Sequence, residues 1–409
     1  MHGITALRLK QRSRARAVAC AFILNSTAAV AAPFAYIPEH GKSTGDPSNF
    51  FVRIDLTTQT ATPAGPIAIT NNPTADPRTS FTGVSLNDRS GQLFISDKGN
   101  AKSVLQLDIR NITGGTSSIP AKVYATGGNP SGLATDQSGR HVFVATEDGQ
   151  TVTVIDTSLT GVAAMQDVHF PTGSAPSGPS PADVKLNLSG TFAYVSDEST
   201  DQRFCRFNAV SPPFDSGIPA SDCVIAGASL PGEPEFGSAQ LNALAISPDG
   251  TRAYVLGRGD NSISVIDTTK SPMKLVGGRG ILLGTGNLNG IAIDQTGKVA
   301  YMTSNLGHVF TISLSSLESG GQPAIIRDLA PGTLGQLQGV SISADGKSLL
   351  IADATISGFH IVDLTVPPTT TNPAISDVVV PGGPLAYGQF TSADDRIFVS
   401  EFGSMAAGG

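Results

Sequence analysis

The stretch that decides the fold is SPDGTRAYVLGRGDNSISVID, residues 247–267. It opens with a tight-turn signature, Ser247–Gly250, in which Asp hydrogen-bonds its own backbone and Gly accepts a positive φ. An alternating segment, Leu244–Ile246, precedes the turn. A second strand begins at Ala253, and a third ends at Asp267 after a polar loop. The stretch therefore predicts three consecutive antiparallel strands with short connections.

The turn signature recurs along the chain at nearly constant spacing. The seven turns are Asn87–Gly91, Asp136–Gly139, Asn187–Gly190, Ser247–Gly250, Asp294–Gly297, Ser343–Gly346 and Ser392–Asp395. A weaker fourth strand, such as Lys122–Ala125, ends most units. Repeats of roughly 48 residues with four short strands predict an all-β, seven-bladed β-propeller with four-stranded antiparallel blades. A parallel β-helix would use shorter repeats, and immunoglobulin-like units would be about twice as long.

Three of the repeats resemble a known family. AYVSD at Ala193, AYVLGRGDNSISVID at Ala253 and VFVATEDGQTVTVID at Val142 look like the YVTN-type β-propeller repeat. The resemblance covers nearly all of the chain after its first 31 residues. It implies a propeller fold, and it leaves function open, because this repeat family includes lactonase-like enzymes, surface-layer proteins and electron-transfer subunits.

The two ends of the chain are expected to share one blade and so to close the ring. The C-terminus would supply inner strands, Leu385–Phe390 and Ile397–Phe402, and the N-terminus would supply outer ones. One strand is surplus, because Phe34–Ile37 and Ile397–Phe402 both resemble the second strand of a blade. An eight-bladed ring with one incomplete blade is the alternative.

The first residues read as an export signal. Basic residues from Arg8 to Arg16 precede an apolar run, 17–28, and Ala29–Ala31 matches a cleavage triplet. We therefore predict a signal peptide at 1–31 and a single propeller domain at 32–409, located in the periplasm or secreted. No later run is apolar enough to span a membrane.

Composition narrows the classes of partner. The 409 residues include 46 Gly and 27 Pro, yet 40% are hydrophobic, which suits many short packed elements. A net charge of −7 disfavours nucleic acid. Cys205 and Cys223 remain after export, and an oxidising compartment favours a disulfide between them over two unpaired thiols. A monomer is expected.

The first strand of each blade is expected to line the central channel. Aligned on the turns, its third position is small in six blades, and this allows close approach of backbones. That position is occupied by Gly83, Gly132, Asp183, Ala243, Gly290, Gly339 and Gly388. Asp183 is the exception: it either contributes to a site or accepts backbone N–H groups of the Pro181-Ala182 loop.

Hydrogen-bonding residues precede the small position in six of the seven strands. They are Thr82, Ser131, Asn242, Asn289, Gln338 and Tyr387, with Ala182 in the remaining strand. We call these six the polar ring. With Asp183, they form a candidate site for a small polar ligand at the channel mouth. The competing interpretation is a water-filled channel whose lining satisfies backbone groups.

The loops after the second strands are rich in acidic residues and should surround the same mouth. The candidates in these loops are Glu39, His40, Asp97, Glu147, Asp197, Asp260 and Asp353. Carboxylates in flexible loops suit Ca²⁺. Solvated surface charge is the interpretation favoured here, because no calcium-loop motif is present.

No metal-binding or nucleophile motif accompanies these residues, and no cofactor is evident. The leading hypothesis is an exported propeller that binds a small polar ligand or a protein through its mouth face. One alternative is a lactonase-like hydrolase. The resemblance implies catalytic His, Arg and Glu residues at the channel mouth, and Glu39, His40 and Asp183 are their nearest substitutes here. The other alternative is a docking subunit of a periplasmic redox complex. Structural roles are expected for His308 and His360.

Overall fold

The structure is a computed structural model that describes residues 34–39, 50–55, 63–71, 81–365, 375–379, 385–390 and 396–401. Within 81–365 it leaves out 88, 100–101, 113–117, 173–177, 211, 215, 228–239, 278–280, 283–285, 320–324, 331, 333, 344 and 357. The predicted signal peptide and His40 lie outside the described residues. All that follows concerns the compact unit Ala32–Gly409.

Six sheets repeat one plan, in which four strands in chain order pair antiparallel from the innermost strand outward. We number these blades 1 to 6 in chain order. Blade 1 consists of Phe81–Asn87, Gln92–Asp97, Ser103–Asp108 and Lys122–Ala125. Blade 2 consists of Pro130–Thr135, His141–Thr146, Thr151–Asp156 and Met165–His169. Blade 3 consists of Pro181–Leu186, Phe192–Asp197, Arg203–Asn208 and Cys223–Ile225.

The remaining three blades follow the same order. Blade 4 consists of Leu241–Ile246, Arg252–Gly257, Ser262–Asp267 and Lys274–Leu275, and Ile281–Leu282 also pairs with its third strand. Blade 5 consists of Leu288–Ile293, Val299–Ser304, Val309–Ser313 and Ile325–Asp328. Blade 6 consists of Leu337–Ile342, Ser348–Asp353, Gly358–Asp363 and Ile375–Val379. The predicted all-β propeller with four-stranded antiparallel blades is confirmed.

A further sheet combines strands from both ends of the chain, and we call it the terminal sheet. Its strands, in spatial order, are Leu385–Phe390, Arg396–Glu401, Phe34–Glu39, Phe50–Asp55, Pro63–Thr70 and Ser118–Pro120. The two second-type strands both belong to it, because Phe34–Glu39 lies parallel to Arg396–Glu401. The surplus strand is thus accommodated by widening one sheet to six strands.

Helical structure in the described residues is limited to connections between strands. One α-helix spans Leu314–Glu318, and short 3₁₀ helices span Ile109–Asn111, Gly161–Ala164 and Ala220–Asp222. The hairpin turns contain glycines in the left-handed region, for example Gly250 at φ 71° and Gly297 at φ 67°. These turns need glycine because other residues are strained there.

The hydrophobic core lies between neighbouring sheets. Each apolar cluster combines side chains from two consecutive sheets, as where Phe143 of blade 2 meets Phe207 of blade 3 at a centroid distance of 6.0 Å. Tyr254 of blade 4 packs in one cluster with Met302 and Phe310 of blade 5. Face-to-face packing of successive sheets brings their first strands side by side, and this positions the candidate site.

Candidate functional site

The small third residues of the innermost strands lie against the backbone of the next blade. A Cβ atom on Gly290 would lie 2.7 Å from the carbonyl oxygen of Gln338 and 2.8 Å from the amide nitrogen of Val340. A Cβ atom on Gly132 would contact Asp183 in the same way. The close approach expected from the sequence is therefore present.

The polar ring holds neighbouring blades together. Asn289 donates from Nδ2 to the carbonyl oxygen of Leu337 at 2.7 Å, and Thr82 donates from Oγ1 to that of Pro130 at 2.9 Å. Asn242 makes the equivalent bond to Leu288 at 3.4 Å. In each case the acceptor immediately precedes the next member of the ring.

A second series of ties comes from hydroxyl groups that the sequence interpretation missed. Ser96 donates to the carbonyl oxygen of Ser131 at 2.6 Å, and Thr303 donates to that of Gln338. Ser196 makes a longer bond of 3.4 Å to Asn242. The sequence does carry a signal for these ties: Ser or Thr is the penultimate residue of the second strand in each of these blades.

The described members of the polar ring therefore occupy equivalent positions in their blades. The side chains of several of them already donate hydrogen bonds to backbone carbonyl groups. Ser131 and Gln338 contribute their carbonyl groups to the ties. Tyr387 lies in the innermost strand of the terminal sheet, and its side chain is outside the described residues. Ligand binding by this ring stays a prediction.

Three of the mouth-loop acids are fully buried, so the expectation of solvated surface charge is wrong for them. Asp97, Asp197 and Asp353 each end a second strand and have no exposed surface. Asp197 accepts from the amide nitrogens of Ser180 and Ser199 at 2.8 and 2.9 Å. Asp197, and likewise Asp353 through the amide nitrogens of Gly335 and Thr355, thereby joins the loop that follows the second strand to the loop that enters the blade.

The remaining acidic candidates differ from one another in burial and in their contacts. Asp260 is buried and accepts from the amide and hydroxyl of Ser262, so surface charge does not describe it either. Glu147 is partly exposed and forms an ion pair with Lys98 at 2.5 Å. Glu39 ends a strand of the terminal sheet, and its side chain lies outside the described residues.

Four charged residues at matching places form an arc along the mouth, which we call the mouth arc. Lys98, Glu147, Glu198 and Arg258 each follow the second strand of blades 1 to 4. Arg258 approaches Glu198 to 3.8 Å. Burial raises the pKa of Glu198, and the nearby charge of Glu147 raises it further.

A cavity of about 500 Å³ lies between the innermost strands of blades 1 to 6. Its walls combine partly exposed aliphatic side chains, such as Leu186, Ile293 and Val340, with a comparable share of polar groups. Among the ring residues whose side chains the structure describes, Thr82 is part of this lining, and Ser131, Asn242, Asn289 and Gln338 are not. The cavity therefore lies along the strands, beyond the level of the polar ring.

The charged residues in the lining are Asp183 and Lys185, both on the innermost strand of blade 3. The ammonium of Lys185 lies 2.7 Å from Oδ1 of Asp183. The same oxygen accepts from the amide of Val184 at 2.9 Å, and Oδ2 accepts from that of Leu244 at 3.4 Å. Asp183 does satisfy backbone groups, but they are not those of the Pro181-Ala182 loop.

His308 and His360 pair with carboxylates inside their own blades. His308 Nδ1 lies 2.6 Å from Asp328. His360 is buried between Asp353, at 2.9 Å from Nε2, and Asp377, at 2.7 Å from Nδ1. These contacts join adjacent strands and do not reach the cavity lining.

The predicted disulfide is confirmed. Cys205 and Cys223 are bonded and connect the third and fourth strands of blade 3.

Within the part of the chain that the structure describes, no cluster of three or more His, Cys, Asp or Glu residues could hold a metal ion. Calcium at the mouth stays a prediction. No helix in the described part is both long and apolar enough to cross a bilayer.

Solved structures of other proteins resemble the fold of this chain. No protein-family model matches, and no curated protein matches. A solved structure from Bacteroides fragilis, described as a "putative 6-phosphogluconolactonase", has a TM-score of 0.64 at 14% identity, with 90% of this chain and 98% of that chain covered. A Bacteroides uniformis protein with the same description gives 0.64 at 16%, covering 87% and 98%.

Hydrazine synthase from Kuenenia stuttgartiensis is also similar, with a TM-score of 0.58 at 16% identity and coverage of 82% and 97%. At such low identity these likenesses bear on fold and not on activity. Together with the sheet order and the cores between sheets, they establish that the chain is a β-propeller with four-stranded antiparallel blades.

Proposed function

We propose that this chain is an exported, monomeric, seven-bladed β-propeller that binds a small ligand in its central channel and acts as a binding module. Export rests on the basic, apolar and cleavage segments that end at Ala31. Amino-terminal sequencing of protein isolated from its host tests it, and the expected first residue is Ala32.

Contacts of the terminal sheet support a closed ring of seven blades. Its innermost strand, Leu385–Phe390, contacts the innermost strand of blade 6, Leu337–Ile342, and that of blade 1, Phe81–Asn87. Every other pair of successive innermost strands is also in contact. Closure removes exposed strand edges, which otherwise invite aggregation.

The cavity is the observation that carries the binding role. Ligand sites are concave, mostly apolar and furnished with a few placed polar groups, and they typically enclose roughly 300–1,000 Å³. The channel cavity matches this pattern in its volume of about 500 Å³, in aliphatic side chains such as Leu186 and Val340, and in its Asp183–Lys185 pair. The polar ring matches it less well, because Thr82, Asn242 and Asn289 already donate to backbone carbonyls.

A neutral apolar dye tests whether the cavity accepts a ligand. N-phenyl-1-naphthylamine should bind the purified protein at one saturable site. Ser341→Phe should weaken binding at least tenfold, because Ser341 lines the cavity and its buried Oγ lacks a described partner. Ser315→Phe is the matched control, since Ser315 is exposed in a short helix. Absence of saturable binding, or equal binding by folded Ser341→Phe, would contradict the proposal.

A lactonase-like hydrolase is the second candidate. It is favoured by the printed description of two similar structures, which name 6-phosphogluconolactonase. Purified protein should be incubated with 6-phosphogluconolactone, with and without divalent metal. Ring opening at the uncatalysed rate under both conditions would remove this candidate.

A docking role in a multi-subunit complex is a third candidate, favoured by the likeness to a structure named hydrazine synthase. Gel filtration of protein isolated under native conditions tests it. Elution as a single mature chain, lighter than the 41.8 kDa of all 409 residues, supports the monomeric binding module, and a stable heteromer supports docking.

A further inference from the structure

One level of the channel combines small residues with a single long, charged side chain. The fifth residues of the innermost strands pair with the third residues of the second strands, so they lie at equivalent heights. Examples are Lys185 opposite Tyr194 and Ala245 opposite Tyr254. In blades 1 to 6 this level is occupied by Ser85, Ala134, Lys185, Ala245, Ala292 and Ser341, and Gln389 takes the equivalent position in the terminal sheet. The members in the blades next to Lys185 are the small residues Ala134 and Ala245, which leave space around its side chain.

Within the Asp183–Lys185 pair, the ammonium of Lys185 is more exposed to the cavity than the carboxylate of Asp183. The side chain of Lys185 is 42% exposed, against 13% for Asp183. The carboxylate is surrounded by donors, because it accepts from Val184, Leu244 and Lys185. An ammonium has three N–H donors, and the contact described for Lys185 uses one of them. The remaining donors are available to a ligand acceptor.

The cavity around this ammonium contains both aliphatic and polar groups. Leu186, Ile293 and Val340 are partly exposed and line the same cavity. The hydroxyls of Ser85 and Thr135 are 3.2 Å apart and can satisfy each other. Ser341 adds one more hydroxyl at the level of Lys185. A fitting ligand thus has one anionic end and an otherwise apolar body.

We propose that the channel binds an organic monocarboxylate with an apolar body, whose carboxylate pairs with the ammonium of Lys185. This inference rests on the proposed binding function and specifies its ligand class. Charge-assisted hydrogen bonds are about twice as strong as neutral ones. The carboxylate should therefore contribute specificity, and the aliphatic side chains of the lining should contribute buried apolar surface.

Three probes of equal chain length separate the contributions of charge and apolar surface. Octanoate, octanol and octylamine are titrated calorimetrically into the full-length mature protein. Octanoate should bind about tenfold or more tightly than octanol, and octylamine should bind most weakly. Equal binding of octanoate and octanol, or tighter binding of octylamine, would overturn the anionic assignment.

Variants then assign the charge to one residue. Lys185→Met keeps an unbranched apolar side chain and should reduce the octanoate affinity about tenfold, while octanol affinity stays within about twofold. Lys185→Arg should retain the preference for octanoate. Lys298→Met, which removes an exposed lysine, is the matched control and should change nothing. Undiminished octanoate binding by folded Lys185→Met would overturn the role of Lys185.

Ligand binding by the channel and its selectivity for anions can be tested separately. If octanol binds as well as octanoate and Ser341→Phe abolishes both, the channel binds ligands but does not select anions. If none of the three probes binds and the neutral dye also fails, the binding function itself falls. The comparison of probes on unmodified protein does not depend on the folding of any variant.

Discussion

The side-chain amide of Asn289 donates a buried 2.7 Å hydrogen bond to the backbone carbonyl of Leu337 in the next blade. A residue type that suggested ligand recognition therefore ties two sheets together. Thr82 and Asn242 make the corresponding contact between other blades, so the ring around the mouth is in large part structural.

Removing this tie should destabilise the fold without changing ligand binding. Asn289→Ala leaves the carbonyl of Leu337 without its donor, and the expected loss is about 1–3 kcal/mol in the free energy of unfolding. Asn242→Ala should cost less, because its bond to Leu288 is longer, at 3.4 Å, and less buried. Urea denaturation measures both. Equal stability of Asn289→Ala and the unmodified protein would show that the ring is not a structural tie.

The close approach of the innermost strands predicts strong sensitivity at Gly290. Gly290→Ala places a Cβ atom against the backbone of Gln338 and Val340, and the expected loss is roughly 1–3 kcal/mol. Gly127→Ala is the matched control, because a Cβ atom there meets nothing within 4 Å. Thermal unfolding compares the two. A tolerated Gly290→Ala would mean that the blades are farther apart than the structure shows.

The blade repeat was predictable from the sequence because each blade carries its own local signals. An alternating segment such as Leu244–Ile246, followed by a turn such as Ser247–Gly250, specifies a hairpin without reference to distant residues. The terminal sheet was only partly predictable. Parallel pairing of Phe34–Glu39 with Arg396–Glu401 joins segments at opposite ends of the chain, and no local pattern encodes it.

The site was predicted less well, because residue type does not reveal burial. From the sequence, Asp97 and Asp353 are expected to be solvent-exposed. Both are buried, because their carboxylates accept hydrogen bonds from backbone amide groups of the loops that follow them. Lys185 lies at the fifth position of its innermost strand, whereas the sequence signal was sought at the second and third positions. The fifth positions of blades 1 to 6 hold one lysine among serines and alanines, and the terminal sheet has Gln389 there.

His360 should make the stability of blade 6 depend on pH. Burial lowers the pKa of His360, but the hydrogen bonds to Asp353 and Asp377 outweigh it, so the pKa lies above its ordinary value. Its contribution is therefore fully present below about pH 6.5 and is lost as the pH rises through the raised value. The advantage of the unmodified protein over His360→Gln should accordingly shrink from pH 6 to pH 8.

Urea denaturation at several pH values checks this dependence. His169→Gln serves as the control, because the side chain of His169 is exposed. A second variant, Asp377→Asn, should lower the pKa of His360 and shift the loss of stability to lower pH. A constant difference between the unmodified protein and His360→Gln across this range would refute the assignment.

The disulfide should stabilise blade 3 chiefly by restricting the unfolded chain. It closes a sequence separation of 18 residues, for which a stabilisation of about 3 kcal/mol is expected. The double variant Cys205→Ala/Cys223→Ala should lose about this much, and reductant should lower the unmodified protein to the same level. Reductant should not affect the double variant. A double variant as stable as the unmodified protein would contradict this role.

The most direct test of the account is a crystal structure of the full-length mature protein grown with octanoate. The account predicts an elongated ligand inside the channel, between the innermost strands, with its carboxylate within hydrogen-bonding distance of Nζ of Lys185. Octanoate bound only outside the channel, or innermost strands that do not surround a common cavity, would contradict it.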